Sequence, residues 1–205
     1  FRLMIKDGSN RCLDTLSKAS VEISQGEVLQ LLTNNNIRTS ESQYFDVINA
    51  KTAALFSAAC VTSAIISEMN KEKEIALYEY GKYLGTAFQI TDDTFDYFSS
   101  YKNLGKDIGD DFKEGKVSLP IILAFNRSNE HEKKFWLRVI NEKKQKNNDL
   151  STALDIIKKH NVIKDCLSKA RHFATMAKDS LGPFENSYEK EKLLHLADFS
   201  VERSG

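Results

Sequence analysis

Apolar residues recur along this chain at intervals of three and four, which is the spacing of one face of an α-helix. No segment alternates apolar and polar positions as a half-buried strand does. The clearest apolar stripe consists of Ile163, Cys166, Ala170, Phe173, Ala174, Ala177 and Leu181. Gly182 and Pro183 follow it and predict the end of that helix. The pattern therefore predicts an all-α fold.

Capping residues predict where several helices begin. Ser9 follows a glycine and is a candidate N-cap for a helix that runs to about residue 32. Ser40 with Gln43 three positions later fits a capping box. Asn186 with Glu189 has the same spacing and predicts the start of the last helix.

The middle of the chain divides into long helices and polar connections. Apolar spacing predicts helices over residues 51–69 and 72–98. Residues 99–116 are polar and rich in glycine, as a long functional loop is. Pro120 is compatible with the first turn of the next helix. Residues 130–149 are heavily charged, and we interpret them as a solvated helix end and loop.

Composition narrows the class of protein. The 205 residues favour a single domain over 1–205, and 29 basic against 29 acidic residues give no basic excess for nucleic acid. The apolar stretch 53–66 is shorter than the roughly 20 residues of a membrane span, so we expect a core helix and no transmembrane segment. Cys12, Cys60 and Cys166 lie far apart without metal-ligand spacing, which favours a reducing, cytoplasmic location.

Three acids share one face of the predicted helix 72–98. With Gln89 at 0° and about 100° per residue, Asp92 falls near 300°, Asp93 near 40° and Asp96 near 340°. Gly85, near 320° on the same basis, is expected to leave this face open. Clustered carboxylates suit Mg²⁺ that bridges to substrate phosphates. A solvated acidic face is the alternative, but the apolar neighbours of these acids favour a buried helix.

The predicted loop supplies the opposite charge. Gly105-Lys106 and Gly115-Lys116 combine glycines, which let a backbone approach a polyanion, with lysines that pair with phosphate. The spacing does not fit a P-loop, because five residues separate Gly109 from Gly115. Taken alone, this loop is also typical of a surface turn.

Several segments together resemble the trans-isoprenyl diphosphate synthases, or polyprenyl synthetases. The similarity covers essentially the whole chain and is greatest to the long-chain members, the octaprenyl and polyprenyl diphosphate synthases. The segments that carry it lie at residues 26–31, 51–56, 85–97, 104–111, 114–120 and 196–199. The resemblance implies a bundle of antiparallel helices around a central cavity. It also implies condensation of isopentenyl diphosphate with an allylic diphosphate, for a quinone side chain.

The resemblance also implies roles for individual residues. Asp92, Asp93 and Asp96 match the DDxxD motif that holds Mg²⁺ on the allylic diphosphate. The residues that match diphosphate-binding positions are Lys51, Thr52, Gln89, Lys106 and Lys116. Among these, Lys51, Thr52 and Gln89 join Asp92 as the expected catalytic residues. Without the resemblance, a surface lysine and an ordinary N-cap would be the preferred interpretations of Lys51 and Thr52.

Two family features are missing from the sequence, and their absence leaves alternatives open. The first aspartate-rich motif and the isopentenyl diphosphate site are absent, so we expect them upstream of Phe1 and expect this chain alone to be inactive. The family also implies a homodimer. The alternatives are a non-catalytic subunit of a heteromeric synthase, a short-chain farnesyl or geranylgeranyl synthase, and a terpene cyclase, which the lysine loop disfavours.

Overall fold

The computed structural model describes residues 2–98 and 108–202, and every regular element in these ranges is a helix, which confirms the all-α prediction. The α-helices are α1 Arg2–Asp7, α2 Asn10–Thr33, α3 Glu41–Ile48, α4 Ala54–Ile66, α5 Lys71–Phe95, α6 Asp110–Glu114, α7 Leu119–Arg127, α8 Glu130–Trp136, α9 Asp149–Lys159, α10 Val162–Ser180 and α11 Tyr188–Glu202.

Helix α5 lies at the centre of the packing. Helix α4 packs along one side of it and α10 along another, while α2 packs on α4 and α11 on α10. The largest buried side chains include Trp136, Tyr80 and Phe112. The apolar core therefore surrounds α5, which carries Asp92 and Asp93 and is followed directly by Asp96.

Most helix starts follow the caps seen in the sequence. The Ser9 hydroxyl accepts a hydrogen bond from the Cys12 amide, and Ser40 forms the predicted capping box with Gln43. Pro120 lies in the first turn of α7. The apolar stripe predicted for α10 is buried except at Ile163 and Phe173, which are partly buried against the core.

Three boundaries differ from the predictions. The last helix is capped by Ser187, whose hydroxyl accepts from the Lys190 amide, so the predicted cap at Asn186 is wrong. Helix α5 ends at Phe95 rather than at residue 98. The predicted loop 99–116 contains the helix α6, while residues 99–107 lie outside the described ranges.

The charged stretch 130–149 is not simply solvated, and this interpretation is corrected. Helix α8 continues through a π-helical turn at Leu137–Asn141, and Trp136, Val139 and Ile140 are completely buried. The Trp136 indole nitrogen donates to the Ser128 hydroxyl at 3.1 Å. The apolar side chains of this segment lie three and four positions apart and form a stripe that faces the core. The charged residues on its solvent side hid this stripe in the sequence pattern.

The predicted helix 51–69 is part of a longer helical run. Helix α3 continues through a π-helical turn at Asn49–Ala53 into α4, which ends at Ile66. Within the described ranges, one helical run, Glu41–Ile66, is long and apolar enough to cross a membrane, because an 18-residue window in it has a mean hydropathy of 1.3. Core helices meet the same criterion, and a single such helix is weak evidence for a span. All three cysteines are free thiols.

Candidate active site

The π-helical turn Asn49–Ala53, called the π turn below, places Lys51 and Thr52 in the interior of a continuous helical run. Turns of this type insert one extra residue and are frequent at functional sites.

Two glycines let neighbouring helices approach the π turn closely. A Cβ at Gly26 of α2 would lie 2.6 Å from the Lys51 amide nitrogen. A Cβ at Gly85 of α5 would lie 2.8 Å from the Ala53 Cα. The sequence analysis expected Gly85 to leave the acidic face open. This expectation is wrong, because the π turn fills the space beside Gly85. The two glycines clamp the turn between α2 and α5.

A chain of hydrogen bonds joins the π turn to α5. The Thr52 hydroxyl donates to Gln89 Oε1 at 2.8 Å, and Gln89 Nε2 donates to Asp93 Oδ1 at 2.9 Å. Gln89 and Asp93 are one helical turn apart, so their side chains meet on the same face. The structure thus brings together three residues that the sequence assigned to one site.

Asp93 is the most buried of the three acids, with 1% of its surface exposed. Its Oδ1 accepts from Lys116 Nζ at 2.8 Å in addition to Gln89, and its Oδ2 accepts from the Tyr44 hydroxyl at 2.7 Å. Both carboxylate oxygens are therefore bonded to groups of the protein itself.

Lys116 lies between two carboxylates. Its ammonium donates to Asp93 and, at 2.9 Å, to Asp111. Burial acts to lower the pKa of Lys116, but the two carboxylates outweigh it and raise that pKa, so the ammonium stays charged. Burial raises the pKa of Asp111, and the nearby Asp93 charge adds to this against the attraction of Lys116.

Asp96 and Asp92 differ in their bonding. The carboxylate of Asp96 accepts from the backbone amides of Asp110 and Asp111, both at 3.1 Å, and so caps the start of α6. Burial raises the pKa of Asp96, partly offset by these two amides. Asp92 is half-buried, and its carboxylate has no side-chain or backbone donor among the described residues.

A metal ion would find hard oxygen ligands here but no complete cage. Within 2–98 and 108–202, no three His, Cys, Asp or Glu side chains converge as a ready-made metal site. Asp93 and Asp96 nevertheless lie close enough to Asp111 to repel its charge, and the Lys116 ammonium attracts it. Such an excess of carboxylates fits Mg²⁺, which takes part of its ligands from water and substrate phosphate.

Lys51 is held by α2. Its ammonium donates to Glu27 at 3.0 Å and to Gln30 at 2.5 Å, and the side chain remains about one third exposed. Lys51 is therefore oriented by another helix, unlike a freely moving surface lysine.

Lys51, Thr52, Gln89, Asp93 and Lys116 line one cavity of about 140 Å³. The residues around it are Gln30, Thr33, Asn34, Tyr44, Val47, Ile48, Lys51, Thr52, Gln89, Asp93, Lys116, Val117 and Ser118. The cavity contains five of the eight residues that the sequence assigned to the site. Asp92 and Asp96 lie outside its lining, and Lys106 lies outside the described residues.

Sequence reasoning missed three side chains that bond to residues of the candidate site. Tyr44 and Asp111 bond to Asp93 and Lys116, and Gln30 bonds to Lys51. Gln30 and Asp111 lie within segments that carry the family resemblance, so those segments contained the information. For Tyr44, the sequence indicated only that it lies in the helix that follows the capping box of Ser40 and Gln43. It gave no sign of a contact with the candidate site.

Comparisons with known proteins agree with this geometry. The polyprenyl synthetase family model matches residues 1–157. The octaprenyl diphosphate synthase of Haemophilus influenzae is 35% identical over 204 residues, which cover 100% of this chain and 62% of that protein. The geranylgeranyl diphosphate synthase of Saccharolobus solfataricus is 33% identical over 187 residues, 90% of this chain and 56% of that protein.

Solved structures have the same helical bundle. A decaprenyl diphosphate synthase from Rhodobacter capsulatus superposes with a TM-score of 0.94 at 39% identity, over 100% of this chain and 63% of that one. A polyprenyl synthase from Caulobacter crescentus, complexed with calcium and isoprenyl diphosphate, gives 0.96 at 40% identity, over 100% and 62%. The chain thus spans about three fifths of the length of these proteins.

Proposed function

Because the chain belongs to the polyprenyl synthetase family, we propose that it forms part of a trans-prenyltransferase. The enzyme would condense isopentenyl diphosphate with an allylic diphosphate to make a long-chain polyprenyl diphosphate. Two relatives at 35% and 39% identity are named octaprenyl and decaprenyl diphosphate synthases, which supports the long-chain product.

One observation carries the proposal. Two ammonium groups, Lys51 and Lys116, line the same cavity as the bonded pair Thr52 and Gln89. Ammonium groups bind a diphosphate, whereas hydroxyl and amide dipoles stabilise a neighbouring cation without acting as strong nucleophiles. A substrate that separates into a diphosphate and a carbocation requires both.

The proposed reaction proceeds in three steps. The allylic carbon–oxygen bond breaks and the electron pair leaves with diphosphate, whose added charge Lys51 and Lys116 stabilise. The double bond of isopentenyl diphosphate then attacks the allylic cation and forms the new carbon–carbon bond. Loss of a proton to the released diphosphate restores a double bond and completes the elongated chain.

Asp92, Asp93 and Asp96 are the proposed metal ligands. Bound Mg²⁺ would neutralise charge on the departing diphosphate. No group among the described residues donates to the Asp92 carboxylate, so Asp92 is the member of the three best placed to bind an ion directly. For Asp93 and Asp96, direct binding would require exchange of a protein hydrogen bond for the ion.

The remaining parts of the proposal concern the complete protein. We assign the chain to the C-terminal part of one polyprenyl synthetase domain, and we expect residues upstream of it to supply the first aspartate-rich motif and the isopentenyl diphosphate site. We further propose a cytoplasmic homodimer whose product serves as a quinone side chain.

The test is an elongation assay of the complete protein with farnesyl diphosphate, isopentenyl diphosphate and Mg²⁺. Mass spectrometry of the product gives its chain length, and we expect a polyprenyl diphosphate well beyond 20 carbons. The 205-residue chain assayed alone is the comparison, and we expect it to be inactive. A second control chelates the divalent ion in the complete protein, which should stop turnover.

Each alternative gives a different result. A product of 15 or 20 carbons would identify a short-chain synthase. A complete protein that turns over only after a second polypeptide is added would identify a subunit of a heteromeric synthase. Turnover by the 205-residue chain alone would contradict the expectation that part of the site lies upstream.

A further inference from the structure

Tyr44 is a buried phenol that contacts the candidate active site from a neighbouring helix. It lies on α3 with 4% of its surface exposed, and its hydroxyl donates to Asp93 Oδ2 at 2.7 Å. The two residues are 49 positions apart in the chain. The inference below rests on the proposed function of this site.

The bond from Tyr44 determines how Asp93 can be oriented. Gln89 and Lys116 both donate to Oδ1, and Tyr44 is the donor that the described structure gives to Oδ2. A carboxylate with donors on both oxygens is held against rotation about its terminal torsion. Loss of the phenol hydroxyl would leave a buried oxygen without a partner, which costs free energy and favours reorientation.

The orientation of Asp93 passes to Gln89 and Thr52. Since Gln89 Nε2 donates to Asp93, its Oε1 faces Thr52 and accepts the hydroxyl hydrogen at 2.8 Å. A hydroxyl that donates in one direction presents its lone pairs in another. The direction of the Thr52 lone pairs is therefore set by a series of hydrogen bonds that begins at the Tyr44 hydroxyl.

We propose that Tyr44 is a positioning residue, which fixes Asp93 and through it the Gln89–Thr52 dipoles that face the developing carbocation. The phenol must be the donor in this bond, because the carboxylate oxygen of Asp93 can only accept. Lys116 keeps a second anchor on Asp111, so its position depends less on Tyr44.

Tyr80 provides a matched control for the loss of a buried hydroxyl. It is also completely buried, and its hydroxyl donates to the Leu193 backbone carbonyl at 2.8 Å. Tyr44→Phe and Tyr80→Phe therefore each remove a hydroxyl that donates one hydrogen bond from a buried tyrosine. The first breaks the chain of bonds to Thr52, and the second does not.

The experiment measures kcat and KM of the complete protein for farnesyl diphosphate. Tyr44→Phe should lower kcat about 10-fold, the lower end of the effect of losing an outer hydrogen-bond partner, with KM changed less than about 3-fold. The dipoles of Gln89 and Thr52 act mainly in the transition state, which is why kcat should change more than KM. Tyr80→Phe should leave both constants near the wild-type values.

A double-mutant cycle separates positioning from a general structural effect. In a Thr52→Val background the last member of the chain is gone, so Tyr44→Phe should lower kcat by less than about 3-fold. The proposal would be overturned if the loss of kcat in the double variant equalled the product of the two single losses. It would also be overturned if Tyr44→Phe and Tyr80→Phe had the same kcat.

A crystal structure of Tyr44→Phe gives a readout that does not depend on activity. We expect the Asp93 carboxylate to rotate and the bond between Thr52 and Gln89 to lengthen or break. An unchanged arrangement would refute the positioning role. An inactive wild-type protein would count against the proposed function, whereas this structural comparison would still decide the role of Tyr44.

Discussion

The three acids of the candidate site differ in what surrounds each carboxylate. Asp93 accepts from Tyr44, Gln89 and Lys116, and Asp96 accepts from two backbone amides of α6. Asp92 has no donor among the described residues. Asp93 and Asp96 thus already stabilise the protein around the site, while Asp92 contributes little to folding.

This difference leads to a prediction for Asp92. In the complete protein, Asp92→Ala should lower kcat by about 10³-fold or more, because a direct metal ligand is lost, with little change in Tm. The measurement combines the elongation assay with thermal unfolding. Asp155→Ala removes an exposed acid of α9 and should alter neither quantity. A small loss of rate in Asp92→Ala would argue against the metal role.

The sequence predicted side chains that share one helix face and missed partners from other elements. Helix geometry placed Gln89, Asp93 and Asp96 on one face, and in the structure Gln89 and Asp93 lie on α5 and bond to each other, while Asp96 directly follows its last residue. Tyr44 and Gln30 reach the site from α3 and α2 through the tertiary packing. A residue such as Tyr44 looks like any core aromatic until the fold is known.

At the scale of elements, the contact between α2 and the π turn leads to a second prediction. Gly26→Ala should destabilise the protein by about 1–3 kcal/mol, because the added Cβ would lie 2.6 Å from the Lys51 amide nitrogen. Helix propensity alone predicts the opposite sign, since alanine in a helix is favoured over glycine by about 1 kcal/mol. Urea unfolding gives the sign directly.

Gly182→Ala is the control for the glycine prediction. Its Cβ would meet a single backbone oxygen at 3.3 Å, so we expect a change in unfolding free energy close to zero. A Gly26→Ala variant as stable as this control would mean that α2 can move away from the π turn.

The start of α8 leads to a third prediction, which concerns stability. Glu132 forms a capping box with Asn129, an ion pair with Lys159 and a hydrogen bond with His160 Nε2. Glu132→Gln keeps the cap, because glutamine also serves at this position, but removes the charge. We expect a loss of about 1–2 kcal/mol at pH 7, measured by urea unfolding. Glu130→Gln, in the same turn but well exposed, should have almost no effect.

The effect of Glu132 should depend on pH in a defined direction. The Lys159 ammonium, with help from His160 and the Asn129 amide, lowers the pKa of Glu132 to about 2 from an ordinary value of 4.5. Its stabilisation is therefore complete above about pH 4.5 and is lost as pH falls toward 2. The difference between wild type and Glu132→Gln should shrink by about half or more between pH 7 and pH 3. A constant difference would contradict this assignment.

Local sequence rules worked where an element's own residues decide its structure. The caps at Ser9 and Ser40 were predicted because a side chain bonds an amide three positions later. At the last helix, Asn186 and Ser187 are both good caps, and spacing chose the wrong one. The burial of Trp136 was missed because it depends on what packs against α8.

At the scale of the whole molecule, α2 exposes large apolar side chains. Leu31 and Leu32 are 72% and 71% exposed, and Val21 and Val28 are 57% exposed. The chain also spans about three fifths of the length of its relatives. A chain that exposes this apolar face of α2 buries less apolar area than a protein in which another segment covers the face.

The exposed face of α2 leads to a fourth prediction. The 205-residue chain by itself should bind a hydrophobic dye such as ANS, and the double variant Leu31→Gln, Leu32→Gln should bind clearly less. Phe199→Gln removes an exposed aromatic from α11 and is the control, with a smaller expected change. Dye binding that is the same in all three proteins would mean that α2 is not the main apolar surface.

The π turn also determines how the chain tolerates changes of length. It contains one residue more than an α-helical turn, so α3 and α4 are about 100° out of phase although the helix is continuous. Deletion of a single codon within Asn49–Ala53 would restore ordinary helical pairing and leave circular dichroism almost unchanged. It would also turn α3 about its axis and carry Tyr44 away from Asp93. Helix content would therefore be a poor guide to whether such a deletion preserves function.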